Sequence, residues 1–444
     1  MTGAVRRDSD GTVTWQAEER EAFMPLTVDI DQVTLTVDGA FPERPLELTI
    51  RDPESLSGTT TVVDRAEVDM LRSSVGMTDV AAPTLSDALI RLTTAKAVDL
   101  MHLGNIDDGV VLLDLAYARA LLGDRAAAWS SALASSVPGR LVDEIESADY
   151  LGPVVARLAD TIVALAPGAL AADEREELLA ALSARAQRTD AAWDAVLAWQ
   201  EALIPVAADL GSTSSVVMHV ADLRALPPRL LRFDGPEEPE LVVREHPDGV
   251  LEVTARLRAD VDADAAVAEG LFAVAADGES GELLAFAPAS TRGDLLIASV
   301  GGVGTEPGAL RCGFVGSDAD LERLRLDPFG VAMTRVDRYF QHAWTCHRTA
   351  GALLAGVDVA YGDKEITGAT TAAQAEQRAA MDAVDNARML LRQCGRRYRG
   401  ESQISLIAAR RRSIEVLDER LRGPSPADGP DGSTLAELHM VGLR

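Results

Sequence analysis

The spacing of apolar residues divides the chain into regions with two different periods. Between residues 24 and 65, single apolar residues alternate with polar ones. The alternating apolar positions include Val28, Ile30, Val33, Leu35 and Val37. A period of two residues is typical of a half-buried strand. We therefore predict a small β-sheet over residues 21–75, preceded by a flexible N-terminus at 1–20, and expect the sheet to need a neighbouring element for stability.

The apolar spacing changes to that of amphipathic helices over residues 84–210, where we predict an α-helical domain. Ser86 is placed to cap the first helix, and Gly104 is suited to end it after Leu103. Further helices fit the remainder of this region.

One stretch of this domain, residues 104–138, contains LLGDRAAAWSSALASSVP. Gly123, Asp124 and Ala128 occupy the turn and the small packing position of a helical hairpin. In these positions the stretch resembles one tetratricopeptide-type helix pair. No second copy follows at the period of about 34 residues that such repeats require. The resemblance therefore implies one helical hairpin and not a repeat protein.

Alternation with period two returns over residues 214–330. The segment VVREHPDGVLEVTARLRADV places Pro247, Asp248 and Gly249 between two strand-like runs, which predicts a hairpin. Four more strand-like runs follow at a spacing of about ten residues, which is typical of a β-sandwich. We therefore predict a β-sandwich-like domain here.

Residues 331–422 have helical spacing again and predict a C-terminal helical region. The tail at 423–444 begins with the Pro/Gly-rich run GPSPADGPDGS, and we predict it to be flexible. Together these segments predict an α+β multidomain chain. It comprises a small N-terminal β-sheet, an α-helical domain, a β-sandwich-like domain and a C-terminal helical region.

Composition restricts the cellular compartment of the protein more than it restricts the function. No run of 18 apolar residues is present, which argues against a membrane span, and the first residues lack the apolar core of a secretory signal. Three cysteines cannot build a disulfide framework, so we expect the reducing cytoplasm. Arginine greatly outnumbers lysine, which together with the Ala-, Val-, Asp- and Gly-rich composition suggests a bacterium with a GC-rich genome.

Candidate metal and catalytic residues form incomplete sets. His342 and Cys346 are four residues apart and share a helix face, but a structural zinc needs two further ligands. Asp260, Asp262 and Asp264 imitate the start of a calcium loop that lacks its glycine and its final glutamate. No nucleophile, phosphate-binding or zinc-protease motif is present. We therefore predict no metal, no cofactor and no catalytic residue.

Positive charge is concentrated in one short part of an acidic chain. The formal net charge is −28, yet residues 388–412 carry eight arginines against one acid, so the other residues sum to −35. The eight candidate docking residues are Arg388, Arg392, Arg396, Arg397, Arg399, Arg410, Arg411 and Arg412. Three interpretations remain open: ion pairs inside the fold, a docking face for an acidic protein or a second copy of the chain, and a nucleic-acid site.

From this pattern we predict a non-enzymatic adaptor or scaffold subunit of a bacterial cytoplasmic complex. Its expected partner is a protein with an acidic surface, or another copy of the chain. Nucleic acid is a weaker expectation because most of the surface would repel phosphates. The alternative functions are an enzyme whose site is assembled from dispersed Asp, Glu, His and Arg residues, and a nucleic-acid-binding protein that uses the Arg388–Arg412 cluster.

Overall fold

The computed structural model describes several stretches of the chain and isolated positions between 106 and 231. The stretches are 2–18, 22–30, 32–51, 63–104, 241–246, 250–257, 270–301, 310–316, 327–357, 363–423 and 432–442. The predicted hairpin at 104–138 lies almost entirely outside the described residues, as does most of the predicted α-helical domain. The described helices include none with the length and apolar character that a membrane span requires.

An antiparallel sheet and two helices form the N-terminal part of the structure. The strands are β1 (Thr2–Arg7), β2 (Val13–Ala17), β3 (Pro25–Ile30), β4 (Val33–Asp38), β5 (Phe41–Ile50) and β6 (Val80–Ala81). They are arranged in the order β3-β4-β5-β2-β1-β6, with antiparallel neighbours. Helices α1 (Arg65–Ser73) and α2 (Asp87–Met101) follow. Ser86 caps α2 by accepting a hydrogen bond from the Leu89 amide, as the sequence predicts.

The expectation of a flexible terminus at 1–20 is wrong for the strands in this range. β2 lies between β5 and β1 inside the sheet, and Trp15 is fully buried there. The Trp15 indole Nε1 donates a hydrogen bond to the Val80 carbonyl at 3.3 Å. The alternation of Val13, Trp15 and Ala17 indicates a half-buried strand, although the charged residues around it give the segment a polar composition.

The middle of the chain contains strands in two antiparallel sheets. These strands are β7 (Leu241–Glu245), β8 (Leu251–Arg256), β9 (Leu271–Asp277), β10 (Leu283–Pro288), β11 (Ser290–Arg292), β12 (Leu295–Val300) and β13 (Leu310–Gly316). One sheet has the order β11-β12-β8-β7, and the other has the order β10-β9-β13. β7 pairs with β8 as the predicted hairpin requires. Buried residues of both sheets, among them Val253, Leu296 and Phe314, belong to one apolar cluster.

Four helices make up the described C-terminal part. They are α3 (Pro328–Val357), α4 (Asp363–Arg397), α5 (Glu401–Arg422) and α6 (Leu435–Gly442). The first three confirm the predicted C-terminal helices. α6 lies within the tail at 423–444 that we expected to be flexible, so that expectation is wrong for these residues. Ala436 and Met440 of α6 are buried in the main apolar cluster.

The two ends of the described chain share one core. A single apolar cluster contains residues of the N-terminal sheet, of α1 and α2, and of α3 to α6. The ring centroid of Phe340 on α3 lies 4.3 Å from that of Phe23 and 6.2 Å from that of Phe41. The Trp344 indole Nε1 donates to the Ala40 carbonyl at 3.2 Å. Helices from the far end of the sequence therefore join α1 and α2 in supplying the neighbour that the N-terminal sheet needs.

Replacement of Phe340 by alanine should test this shared core. The side chain is 1% exposed, so Phe340→Ala should lower the free energy of unfolding by about 3–5 kcal/mol through lost burial and a cavity. Urea denaturation followed by circular dichroism measures the change. Ile404→Ala is the control, because Ile404 is 52% exposed and should change stability by no more than about 0.5 kcal/mol. Equal effects of the two substitutions would contradict the shared core.

Candidate functional site

The eight arginines of the predicted docking site lie on both sides of the turn that connects α4 to α5. Four lie in the last part of α4, Arg399 lies between the helices, and three lie in the middle of α5. α4 continues through Gly395 to Arg397, and Gly400 then begins α5. The structure separates the eight side chains into an internal pair and an exposed set.

Arg410 belongs to the inside of the molecule. Its side chain is 3% exposed, and its Nε donates to the Asp337 carboxylate of α3 at 2.6 Å. The guanidinium also donates to the Ala22 carbonyl at 2.8 Å and lies 4.9 Å from the centroid of the Phe23 ring. Arg410 therefore ties α5 to α3 and to the segment before β3. Its place in the predicted docking set is accordingly a wrong assignment.

Arg388 is half-buried and connects α4 to α5. It donates to Asp418 at 2.6 Å and lies 3.5 Å from Asp385. The hydrogen bond to Asp418 is the largest cause of a raised pKa for the Arg388 guanidinium, so this charge is already compensated within the fold. Arg388 can border a binding site, but its first role is to hold the two helices together.

The other six arginines are exposed: Arg392, Arg396, Arg397, Arg399, Arg411 and Arg412. The Arg397 guanidinium lies 5.5 Å from the ring centroid of its neighbour Tyr398. A guanidinium group has five N–H donors in a planar fork that matches the geometry of a carboxylate or a phosphate. This exposed set is what remains of the predicted docking site.

An open groove between α4 and α5 brings part of the exposed set together. It has a volume of about 240 Å³ and is lined by Arg388, Leu391, Arg392, Arg411, Ile414 and Glu415. We call it the arginine groove. Leu391 and Ile414 are buried and form its apolar floor, while Arg392 and Arg411 are exposed beside it. Because Asp418 compensates Arg388, two exposed cations, Arg392 and Arg411, stand against one acid, Glu415, beside the apolar floor.

A second charged cluster, which the sequence analysis missed, anchors α6. Glu437 is completely buried and accepts hydrogen bonds from Arg348 of α3, from Nε at 2.7 Å and from a terminal nitrogen at 2.6 Å. The Arg348 guanidinium lies 5.7 Å from the centroid of the Trp344 ring. A buried carboxylate is stable only when it is paired and hydrogen-bonded in this way.

The same carboxylate caps the helix that carries it. Glu437 Oε2 accepts from the Thr434 amide at 2.8 Å and from the Thr434 hydroxyl at 3.0 Å, and the Glu437 amide donates back to that hydroxyl at 3.3 Å. This reciprocal arrangement is a capping box. Its signature, Thr-x-x-Glu before an apolar run, was present in the sequence and could have predicted α6. The Ala436 amide also donates to the buried Asp114 carboxylate at 2.9 Å.

His342 and Cys346, the candidate metal ligands, contact each other on α3. Cys346 Sγ lies 3.7 Å from Nε2 of His342, and burial lowers the pKa of that imidazole. Across the described stretches, no group of three His, Cys, Asp or Glu side chains lies close enough to hold a metal ion. Asp260, Asp262 and Asp264 lie outside the described residues.

Comparison of the chain with protein-family models, with curated proteins and with solved structures gave no significant match. The function must therefore be argued from the arrangement of the residues.

Substitution of two adjacent arginines should separate the internal role from the exposed one. Arg410→Gln leaves Asp337 partly buried without its main ion-pair partner, and breaking a buried pair costs about 3–5 kcal/mol. Arg411→Gln makes the same chemical change on the exposed side of α5 and should cost no more than about 0.5 kcal/mol. Urea unfolding curves measure both values. Similar stabilities for the two variants would disprove the separation.

The anchoring of α6 should weaken in acid. Burial favours the neutral form of Glu437, but the Arg348 charge and the hydrogen bonds prevail and hold its pKa below the usual 4.5. Since the folded-state pKa is depressed, the stabilisation is complete above about pH 4.5 and is lost as the pH falls towards the folded-state value. The stability difference between the wild type and Glu437→Gln, measured from about pH 7 to about pH 3, should shrink over this range. A difference that is independent of pH would contradict the expectation.

Proposed function

We propose that the protein is a non-enzymatic adaptor or scaffold subunit that docks an acidic surface of a protein partner on α4 and α5. The observation that carries the proposal is the arginine groove, in which exposed guanidinium groups border an apolar floor. Internal pairing accounts for Arg388 and Arg410, whereas Arg392 and Arg411 are exposed at the arginine groove.

Charge complementarity explains why such a cluster is useful. Exposed ion pairs contribute only about 0–1 kcal/mol each to stability, so a dense arginine cluster is a poor stabilising device. Complementary charge across an interface instead raises the association rate and excludes wrong partners. The chain is itself strongly acidic, so a second copy also satisfies the charge requirement.

The groove fits an acidic protein segment better than nucleic acid. Leu391 and Ile414 give the groove an apolar floor against which an aliphatic or aromatic side chain can pack. Phosphate backbones would gain nothing from this floor and would be repelled by the acidic remainder of the chain.

We further propose a bacterial cytoplasmic setting, and we retain the α-helical domain at 84–210 and the β-sandwich-like domain at 214–330 as proposed units.

The proposal predicts that exposed arginines of the groove region bind an acidic chain. Arg392, Arg396, Arg399 and Arg411 are replaced together by Gln, which leaves Arg388 and Arg410 in their ion pairs. Binding of a fluorescently labelled poly-glutamate peptide should weaken by at least about tenfold, which corresponds to about 1.4 kcal/mol. Unfolding stability should stay close to that of the wild type, and the loss should be greater at low salt because screening is then weaker.

A matched control distinguishes a site from general charge. Arg6, Arg7, Arg65 and Arg292 are also exposed, and their replacement by Gln changes the net charge by the same amount. This control should bind the peptide as the wild type does. Equal weakening by both sets would refute a specific docking face. Tighter binding of single-stranded oligothymidylate than of the peptide, lost in the first set alone, would favour the nucleic-acid alternative.

A further inference from the structure

The apolar floor of the arginine groove continues towards the turn between α4 and α5. Gly395 lies four residues after Leu391, so both residues share one face of α4. A Cβ at Gly395 would lie 4.0 Å from Cγ2 of Ile407, which is buried on α5. That distance is ordinary van der Waals contact, so the glycine leaves space above Ile407. A neighbouring backbone can approach closely where a side chain is missing.

An exposed apolar side chain borders this continuation. Ile404 is 52% exposed and lies seven residues before Arg411 on α5. Seven residues are close to two helical turns, so Ile404 and Arg411 share one face. Arg396 is exposed on α4, four residues after Arg392. We call the arginine groove together with Arg396, Gly395, Ile407 and Ile404 the docking strip.

The charge of the docking strip changes along its length. At the end far from the turn, Asp418 compensates Arg388, and the exposed acid Glu415 lies beside the groove. Towards the turn, Arg392 and then Arg396 are exposed on α4. The positive excess therefore increases towards the turn, and an acidic ligand should place most of its acids there.

A helix fits the docking strip better than an extended segment does. The floor is made of the apolar side chains of Leu391, Ile407 and Ile414, which offer no partner to the backbone N–H and C=O groups of an extended chain. A helix makes these hydrogen bonds internally and can lay an apolar stripe into a groove between two helices. Packed in this way it would be a third helix beside α4 and α5, as in a helix bundle.

We propose that the docking strip binds an acidic amphipathic helix of a partner protein. Its apolar side chains, spaced as i, i+4 and i+7, lie on the floor and against Ile404, and its acids face Arg392, Arg396 and Arg411. Ile414 and Ile404 are ten residues apart on α5, so the strip is about 15 Å long and takes about three turns of helix. The proposal rests on the adaptor function above and specifies the element that docks.

Two designed peptides test the helical stripe. Each has about 18 residues, carries a fluorescent label and contains the same numbers of Glu, Leu and Ala. In one peptide the leucines form a stripe at i, i+4, i+7 and i+11, and in the other they are spread around the helix. We expect the striped peptide to bind the wild type at least about tenfold more tightly in fluorescence anisotropy and to be helical when bound. Equal affinities, or a bound peptide that is not helical, would overturn the proposal.

A pair of glycine substitutions in α4 tests where the peptide lies. Gly395→Leu fills the space above Ile407 without a change of charge, so the striped peptide should bind at least about tenfold less tightly. Gly368→Leu is the matched control, because it lies about 40 Å away along the helix and its Cβ would meet no atom within 4 Å. Both changes replace a helical glycine, so neither should lower the free energy of unfolding. The same affinity for both variants would overturn the proposal.

Poly-glutamate separates this inference from the proposed function. Suppose that poly-glutamate binds through the exposed arginines while the striped and spread peptides bind equally. The docking function would then stand, and the helix proposal would be wrong. If the wild type binds none of the three peptides, both proposals are wrong. Arginine-dependent binding of all three, with a clear preference for the striped peptide, would support both.

Discussion

The burial of the N-terminal sheet against α3 is the constraint on which the rest of the described structure depends. Phe340 and Trp344 of α3 meet Phe23, Phe41 and the Ala40 carbonyl. Residues spaced by three or four positions share a helix face. This contact therefore also fixes which way the side chains one turn earlier and one turn later point. Asp337 lies three residues before Phe340 and forms an ion pair with Arg410. Arg348 lies four residues after Trp344 and forms an ion pair with Glu437. One stripe of α3 thus holds the sheet, α5 and α6.

Burial also explains how a uniform group of arginines acquires different roles. Within Arg410, Arg411 and Arg412 the first side chain is inside the fold and the other two are exposed. A buried guanidinium must find an acid. Asp337 of α3 supplies the partner of Arg410, and Asp418 of α5 supplies that of the half-buried Arg388. The exposed members have no such requirement. Arg411 lies instead at the arginine groove, beside the apolar floor formed by Leu391 and Ile414.

The apolar periodicity was sufficient to predict the type of most elements. It gave β3, β4 and β5 of the N-terminal sheet, the strands in the middle and the long C-terminal helices, but it missed β1, β2, β6 and α6. It did not show that the two ends share a core, because periodicity reports which face is buried and not what covers it. The position of Arg410 could have been predicted, since it lies three residues after Ile407 and four before Ile414, on the buried face of α5. The groove itself requires two helices to be placed side by side, which depends on contacts that no single stretch of sequence encodes.

The shared core has a consequence for the order in which the chain can mature. The N-terminal sheet leaves the ribosome before α3, α4 and α5, which complete the apolar cluster that the sheet shares with α1 and α2. Domains generally fold as units during synthesis, and exposed strands with an uncovered apolar face are prone to aggregate. The part of the core that α3 to α5 supply is therefore missing until the whole middle region has been synthesised. A chaperone that holds apolar strands should matter more for this protein than for one whose domains are completed in sequence.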